Sequence, residues 1–255
     1  MHIAITGASS GIGAALAREF GGAGNKITLV ARRLEMMQAL AAELDAETSC
    51  HKVDLANLET CCDWVQPAED ALGPVDVLIN NAGVQWVEPT LQISNKRAEL
   101  LFRLNVLAPM RLIRRVAPGM IERGSGHIVN IASLAGVTFA PGMADYSASK
   151  AAIAAASETL NDEFKSKGVH VLTVYPGPVT TPMEQAARAK FEGSASVDHL
   201  PTGTADELAS KIHSCITKRK VRLVYPAVYG VTRHMRDISQ WVTNSFAPRL
   251  DGSDS

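Results

Sequence analysis

Short runs of apolar residues alternate along the chain with longer stretches in which apolar positions recur every three or four residues. The runs are Ile3–Ile5, Ile27–Ala31, Ser49–Val53, Val75–Asn80, His127–Ala132, Val169–Tyr175 and Val221–Tyr225. Continuous runs of this length are the pattern of strands buried on both faces, whereas three-and-four spacing marks helices. The helical stretches are Ala14–Phe20, Leu34–Leu44, Leu58–Leu72, Lys96–Arg123 and Tyr146–Lys167. Regular alternation of the two predicts an α/β fold, a doubly wound parallel sheet with helices on both faces. No repeat, low-complexity stretch or linker interrupts it, so one domain is expected over residues 1–250, with Asp251–Ser255 a frayed tail. Two stretches stand apart. Gly193–Gly203 is rich in small and polar residues and lies where active-site lids occur in this architecture. Val228, Val231, Met235, Ile238, Val242 and Phe246 form a one-sided stripe that predicts a C-terminal helix packed against protein rather than lying on an anionic membrane.

Composition narrows the function. A length of 255 residues with 46% hydrophobic content suits one large α/β domain. The net charge of −1 gives no overall attraction to nucleic acid. Cys50, Cys61, Cys62 and Cys215 form no C-x-x-C pair, and seven scattered histidines show no H-E-x-x-H, so no metal site is expected. No apolar run approaches the roughly 18 to 20 residues of a spanning helix, and no leader precedes the first run, so a cytoplasmic protein is expected.

Chemistry enters at both ends of the pattern. The first run leads into Thr6-Gly7-Ala8-Ser9-Ser10-Gly11-Ile12-Gly13 and then into a helix. Strand, glycine turn and helix form the geometry in which backbone N–H groups at a helix N-terminus hold a diphosphate. The second strand ends not in the carboxylate that would hold a ribose 2′-hydroxyl but in Ala31-Arg32-Arg33. Two guanidinium groups there suit a 2′-phosphate and predict NADP(H). Farther along, Tyr146 and Lys150 are one helical turn apart, thirteen residues beyond Ser133. A tyrosine titrates near ~10, and a cation beside it should lower that value toward a useful acid and base.

Taken together with Asp54-Leu55, Asn80-Asn81-Ala82-Gly83, Asn105 and Pro176-Gly177-Pro178-Val179-Thr180-Thr181, these motifs resemble the short-chain dehydrogenase/reductase family in its single-domain branch. The resemblance implies a Rossmann fold and assigns roles. Tyr146 would exchange the proton with the substrate oxygen, Ser133 would hydrogen-bond that oxygen, and Lys150 would tune the tyrosine and bind the nicotinamide ribose. Asn105 would hold a water in a relay to Lys150. Gly7, Ser9, Ser10, Gly11, Ile12 and Gly13 would cradle the diphosphate, with Arg32 and Arg33 at the 2′-phosphate, although Ser10 stands where NADP-using members of the family often carry a basic residue. Asp54 and Leu55 would meet the adenine, and Asn81, Ala82 and Gly83 the adenosine ribose. Pro176, Gly177, Val179 and Thr181 would border the nicotinamide, beside Tyr146 and Lys150.

By the same resemblance Val84 to Trp86, Leu134 to Val137, Pro141 to Met143 and Pro178 to Met183 line the substrate pocket. Trp86, Val137, Met143 and Met183 are apolar and no arginine or lysine lies among them, which favours a carbonyl or secondary alcohol with an apolar body. The expected function is hydride transfer between NADP(H) and such a substrate, in a homodimer or homotetramer joined through the two long helices. Two other readings stay open: a non-catalytic NADP-binding sensor or scaffold, and an epimerase or dehydratase with a retained cofactor.

Overall fold

The structure is a computed structural model that describes residues 1–191 and 201–233. Seven strands form one sheet: β1 (His2–Thr6), β2 (Lys26–Ala31), β3 (Glu47–Lys52), β4 (Val77–Asn80), β5 (Gly126–Ile131), β6 (Val169–Pro176) and β7 (Arg222–Tyr225). Their order is β3-β2-β1-β4-β5-β6-β7 and every pairing is parallel. The expected doubly wound sheet is present. Strands β1, β4 and β6 are buried at every position, as apolar runs covered on both faces should be. Strand β3, at one edge, reads Glu-Thr-Ser-Cys-His-Lys and keeps an exposed residue at each end, which discourages pairing with another chain.

Helices α1 (Gly11–Phe20), α2 (Leu34–Ala41), α3 (Val65–Leu72), α4 (Asn95–Phe102), α5 (Ala108–Glu122), α6 (Ala144–Phe164), α7 (Pro182–Arg188) and α8 (Ala205–Thr217) cover the sheet. Side chains alternate across a strand, so β1 sends Ile3 and Ile5 to one core and Ala4 to the other. The first core joins Leu16 and Phe20 of α1 to Leu208 and Ile212 of α8; the second joins Val65 of α3 to Leu112, Ile113 and Val116 of α5. Both cores hold the strands from the two sides and leave their carboxyl ends open at the β1/β4 reversal, where such sheets bind ligands.

Three expected helices are shorter or interrupted. Leu34–Leu44 closes at Ala41, and Leu58–Leu72 becomes helical only at Val65, after a series of turns. The stretch Lys96–Arg123 is broken by a π-helical turn, Arg103–Leu107, between α4 and α5. The carboxyl-terminal stripe enters the structure only as a 3₁₀ turn, Ala227–Arg233; its remainder, the Asp251–Ser255 tail and most of Gly193–Gly203 lie outside the described residues.

Candidate active site

The glycine turn closes on itself tightly. Gly7 has φ +67° and Gly11 φ +56°, the left-handed region that favours glycine. At Gly13 a Cβ would stand 2.3 Å from the Gly7 carbonyl oxygen, so no side chain fits there. Ser10, the N-cap of α1, is extended and makes no side-chain cap bond, which leaves the first-turn N–H groups to a ligand. The end of β4 is fastened to this turn. Thr6 Oγ1 accepts from the Asn81 and Ala82 N–H groups, each at 3.0 Å, and Asn81 Nδ2 donates to the Thr6 carbonyl at 2.9 Å.

Arg33 folds back over the turn. Its Nη2 donates to Ser9 Oγ at 2.8 Å and Ser10 Oγ at 2.7 Å, and Nε donates to Ser9 Oγ at 3.2 Å. The basic group missing at Ser10 is therefore supplied through space from the end of β2. Arg32 lines the same cavity and is exposed.

On the other side, Tyr146 and Lys150 are both buried on α6 and face Ser133 across the ends of β5 and β6. Ser133 Oγ accepts from Ala135 N–H at 3.1 Å, capping a short 3₁₀ turn, and lies 3.5 Å from the Pro176 carbonyl. Lys150 Nζ donates to the Ile131 carbonyl at 2.8 Å and stands 5.9 Å from the Tyr146 ring centre. The expected lowering of the tyrosine is not what the geometry gives. Burial pushes the Tyr146 phenol up to about 12, against a smaller downward pull from its hydrogen bond with Ser133. Burial also brings Lys150 down to about 8. Loss of water dominates because both side chains are buried, and the ammonium is bonded to a backbone carbonyl.

Asn105 is presented by the π turn. Its amide is bonded on every side: Oδ1 accepts from Val84 N–H, and Nδ2 donates to the Val84 carbonyl and Ser149 Oγ, each at 3.0 Å. Ser149 Oγ in turn donates to the Tyr146 carbonyl at 2.7 Å. A Cβ on Gly83 would meet Asn105 Oδ1 at 3.0 Å, so the loop after β4 lies flat against this amide.

A single cavity of about 870 Å³ joins these groups. Gly7, Ser9, Ser10, Gly11, Ile12, Arg32, Arg33, Asp54, Leu55, Asn81, Ala82 and Gly83 line one half, and Ser133, Tyr146, Lys150, Pro176, Gly177, Val179 and Thr181 the other. Gly13 and Asn105 stand behind its wall, where they shape the turn and brace the loop. Six expected lining residues are outside the cavity: Trp86, Gly136, Val137, Pro141, Gly142 and Thr180. The Trp86 ring lies against Arg97, whose guanidinium carbon is 5.9 Å from the ring centre. Conversely, α7 brings in Glu184 and Arg188, beyond the segments expected to line the pocket, and with them an arginine on the substrate side. Their i,i+4 spacing on a helix after Thr181 was the available signal.

A cradle that excludes Cβ atoms, an arginine clasped to the turn and a buried Ser-Tyr-Lys group in one cavity fit a dinucleotide and a reacting carbonyl. Residues 1–192 match the family model for the short chain dehydrogenases. The chain belongs to that family. This short-chain dehydrogenase is 39% identical over 228 residues to a fatty acyl-CoA reductase of Mycobacterium tuberculosis, a match covering 87% of the chain and 75% of that protein. Its fold is similar to a short-chain dehydrogenase from Sphingobium yanoikuyae in complex with NADPH, with TM-score 0.81, 29% identity, and 99% and 98% of the two chains covered. It is also similar to the closed form of a serine dehydrogenase complexed with NADP+, with TM-score 0.79, 28% identity, and 88% and 94% covered. The protein is accordingly an oxidoreductase whose family transfers hydride.

Proposed function

We propose that the protein transfers hydride between NADP(H) and a carbonyl or secondary alcohol with an apolar body. The observation that carries this reading is the one cavity joining the Arg33-clasped glycine turn to Ser133, Tyr146 and Lys150. NADP(H), when bound, supplies or accepts the hydride. The first turn of α1 would hold the diphosphate, and Arg33 with Arg32 the 2′-phosphate through charge-assisted forks. Asp54 and Leu55 would border the adenine, and Pro176, Gly177, Val179 and Thr181 the nicotinamide.

Tyr146 then holds the proton that moves. With its phenol held near 12 it is protonated at neutral pH, the form that donates to a carbonyl oxygen. Ser133 would hydrogen-bond that same oxygen and stabilise its developing charge. Lys150 keeps its ammonium beside the pair, and Asn105 with Ser149 fixes the helix backbone from which Tyr146 projects. NADP complexes among structural relatives and a fatty acyl-CoA reductase among sequence relatives support an NADP(H) enzyme acting on an apolar carbonyl compound. A homodimer or homotetramer through α5 and α6 is part of the same proposal.

The test is a screen of ketones, aldehydes and secondary alcohols with NADP(H) and NAD(H), following absorbance of the reduced cofactor. Turnover with a preference for NADP(H) is expected. Tight NADP(H) binding without turnover on any of them would instead support a sensor or scaffold.

A further inference from the structure

On the substrate side of the cavity stands Glu184, beside Arg188, and the hydride-transfer reading leaves its chemistry unused. Thr181 caps α7, its hydroxyl accepting from the Glu184 N–H at 3.2 Å, and this cap turns Glu184, Ala187 and Arg188 toward the cavity. The Glu184 side chain retains 25% of its exposure, within a wall that also contains Leu134, Met143, Met183 and Val228. Its carboxylate has one side-chain partner among the described residues, Arg188 Nη2 at 3.5 Å, the outer limit of a hydrogen bond. Arg188 Nη2 is closer to Thr202 Oγ1, at 3.0 Å. A half-desolvated carboxylate with one long contact is under-satisfied, and a donor brought by a ligand would repair it. Burial accordingly lifts the Glu184 carboxyl above its ordinary range, against the opposing pull of Arg188. The Glu184 charge acts on both Tyr146 and Tyr229, whereas that of Arg188 acts on Tyr229, which sets Glu184 on the Tyr146 side of the pair.

We propose that Glu184 is a specificity-determining residue whose carboxylate receives a hydrogen-bond donor, a hydroxyl or an ammonium, carried by the substrate near its reacting carbon. The inference rests on the carbonyl reading of the cavity and names the substrate class more narrowly: a hydroxy- or amino-substituted ketone, or the matching diol or amino alcohol, whose remaining body is apolar. The apolar part lies along Leu134, Met143 and Val228, and the donor turns to α7.

The test uses the full chain with NADPH and three ketones of one carbon skeleton: unsubstituted, α-hydroxyl and α-ammonium. Wild type should show kcat/KM ten- to a hundredfold higher for the hydroxyl and ammonium ketones than for the plain one, the range of one hydrogen bond to a charged group. Glu184→Gln should keep most of the hydroxyl preference and lose the ammonium preference by at least tenfold. Glu184→Leu should erase both, bringing the three ketones to within about twofold of one another. NADPH affinity, read by quenching of tryptophan fluorescence, should be the same in all three proteins, which separates lost recognition from lost folding. Wild-type ratios near one, or a preference that survives in Glu184→Leu, overturn the proposal. Activity confined to carbonyls that lack a donor overturns it but leaves the hydride-transfer reading intact. Inactivity toward every carbonyl and alcohol with either cofactor overturns both.

Discussion

A phenol at about 12 next to an amine at about 8 is the reverse of the order these two groups have in water. It follows that carbonyl reduction should be limited on its alkaline side by Lys150. Tyr146 stays protonated across the neutral range, while the Lys150 ammonium is lost as pH rises through about 8. We expect kcat/KM for reduction to be level near pH 6–7 and to fall above about 8; a profile still flat at about 10 would separate the lysine charge from turnover. Tyr146→Phe should reduce turnover by roughly 10²–10⁴ with NADPH binding retained, since only the proton-bearing oxygen is lost. Arg33, whose Nη2 lies 2.8 Å and 2.7 Å from the hydroxyls of Ser9 and Ser10, should matter more than Arg32. Arg33→Ala should weaken NADPH by about ten- to a hundredfold and NADH little, measured by titration, whereas Arg32→Ala should have the smaller effect. The sequence shows that two arginines replace a carboxylate; which one reaches the turn depends on a side-chain path that spacing does not encode.

Elements were legible to different depths. All seven strands lie within a residue or two of their expected runs, most plainly β1, β4 and β6, where burial on both faces leaves an unbroken hydrophobic signature. The glycine turn was legible because Gly7 and Gly13 are required by backbone geometry alone. The π turn at Arg103–Leu107 was not, since five residues are too few for apolar spacing to distinguish one helix type from another. Nor was the sign of the tyrosine shift, which is set by how deeply the phenol is buried rather than by the spacing of Lys150. The π turn aims Asn105 at Val84 and Ser149, so its amide carries more structure than a surface asparagine would. Asn105→Ala should leave those partners unsatisfied, costing about 1–3 kcal/mol in denaturant unfolding and slowing turnover together. Asn105→Asp, which keeps the acceptor toward Val84 N–H, should recover part of the stability.

Across the whole molecule, a polar chain threads the middle of an otherwise apolar sheet. Asn80 Nδ2 donates to Asn130 Oδ1 at 2.8 Å, Asn130 Nδ2 to Ser157 Oγ at 3.0 Å, and Thr173 Oγ1 to Ser157 Oγ at 2.8 Å. It ties β4, β5 and β6 to α6 about two turns beyond Lys150, so strand register and the helix that carries Tyr146 and Lys150 are set by one network. On the outer surface, Phe102 and Leu107 are exposed apolar residues around the π turn, and they agree with a subunit interface formed by the long helices. Light scattering should show an oligomer at micromolar concentration, and Leu107→Asp should shift it toward monomer.

His127 and His170 are register partners near the amino ends of β5 and β6, their rings 5.5 Å apart, at the end of the sheet remote from the cavity. Burial, reinforced by the neighbouring His170, holds His127 down at about 4, so between about 4 and 6.5 the unfolded chain binds the extra proton and acid favours unfolding. Stability is therefore complete above 6.5 and is lost on acidification through that window. The protons of Tyr146 and Lys150 and those of the histidine pair thus sit at opposite poles of the same seven strands. An engineer could broaden acid tolerance by replacing the histidine pair with apolar residues of similar volume, and the alkaline limb set at the other pole should stay where it was.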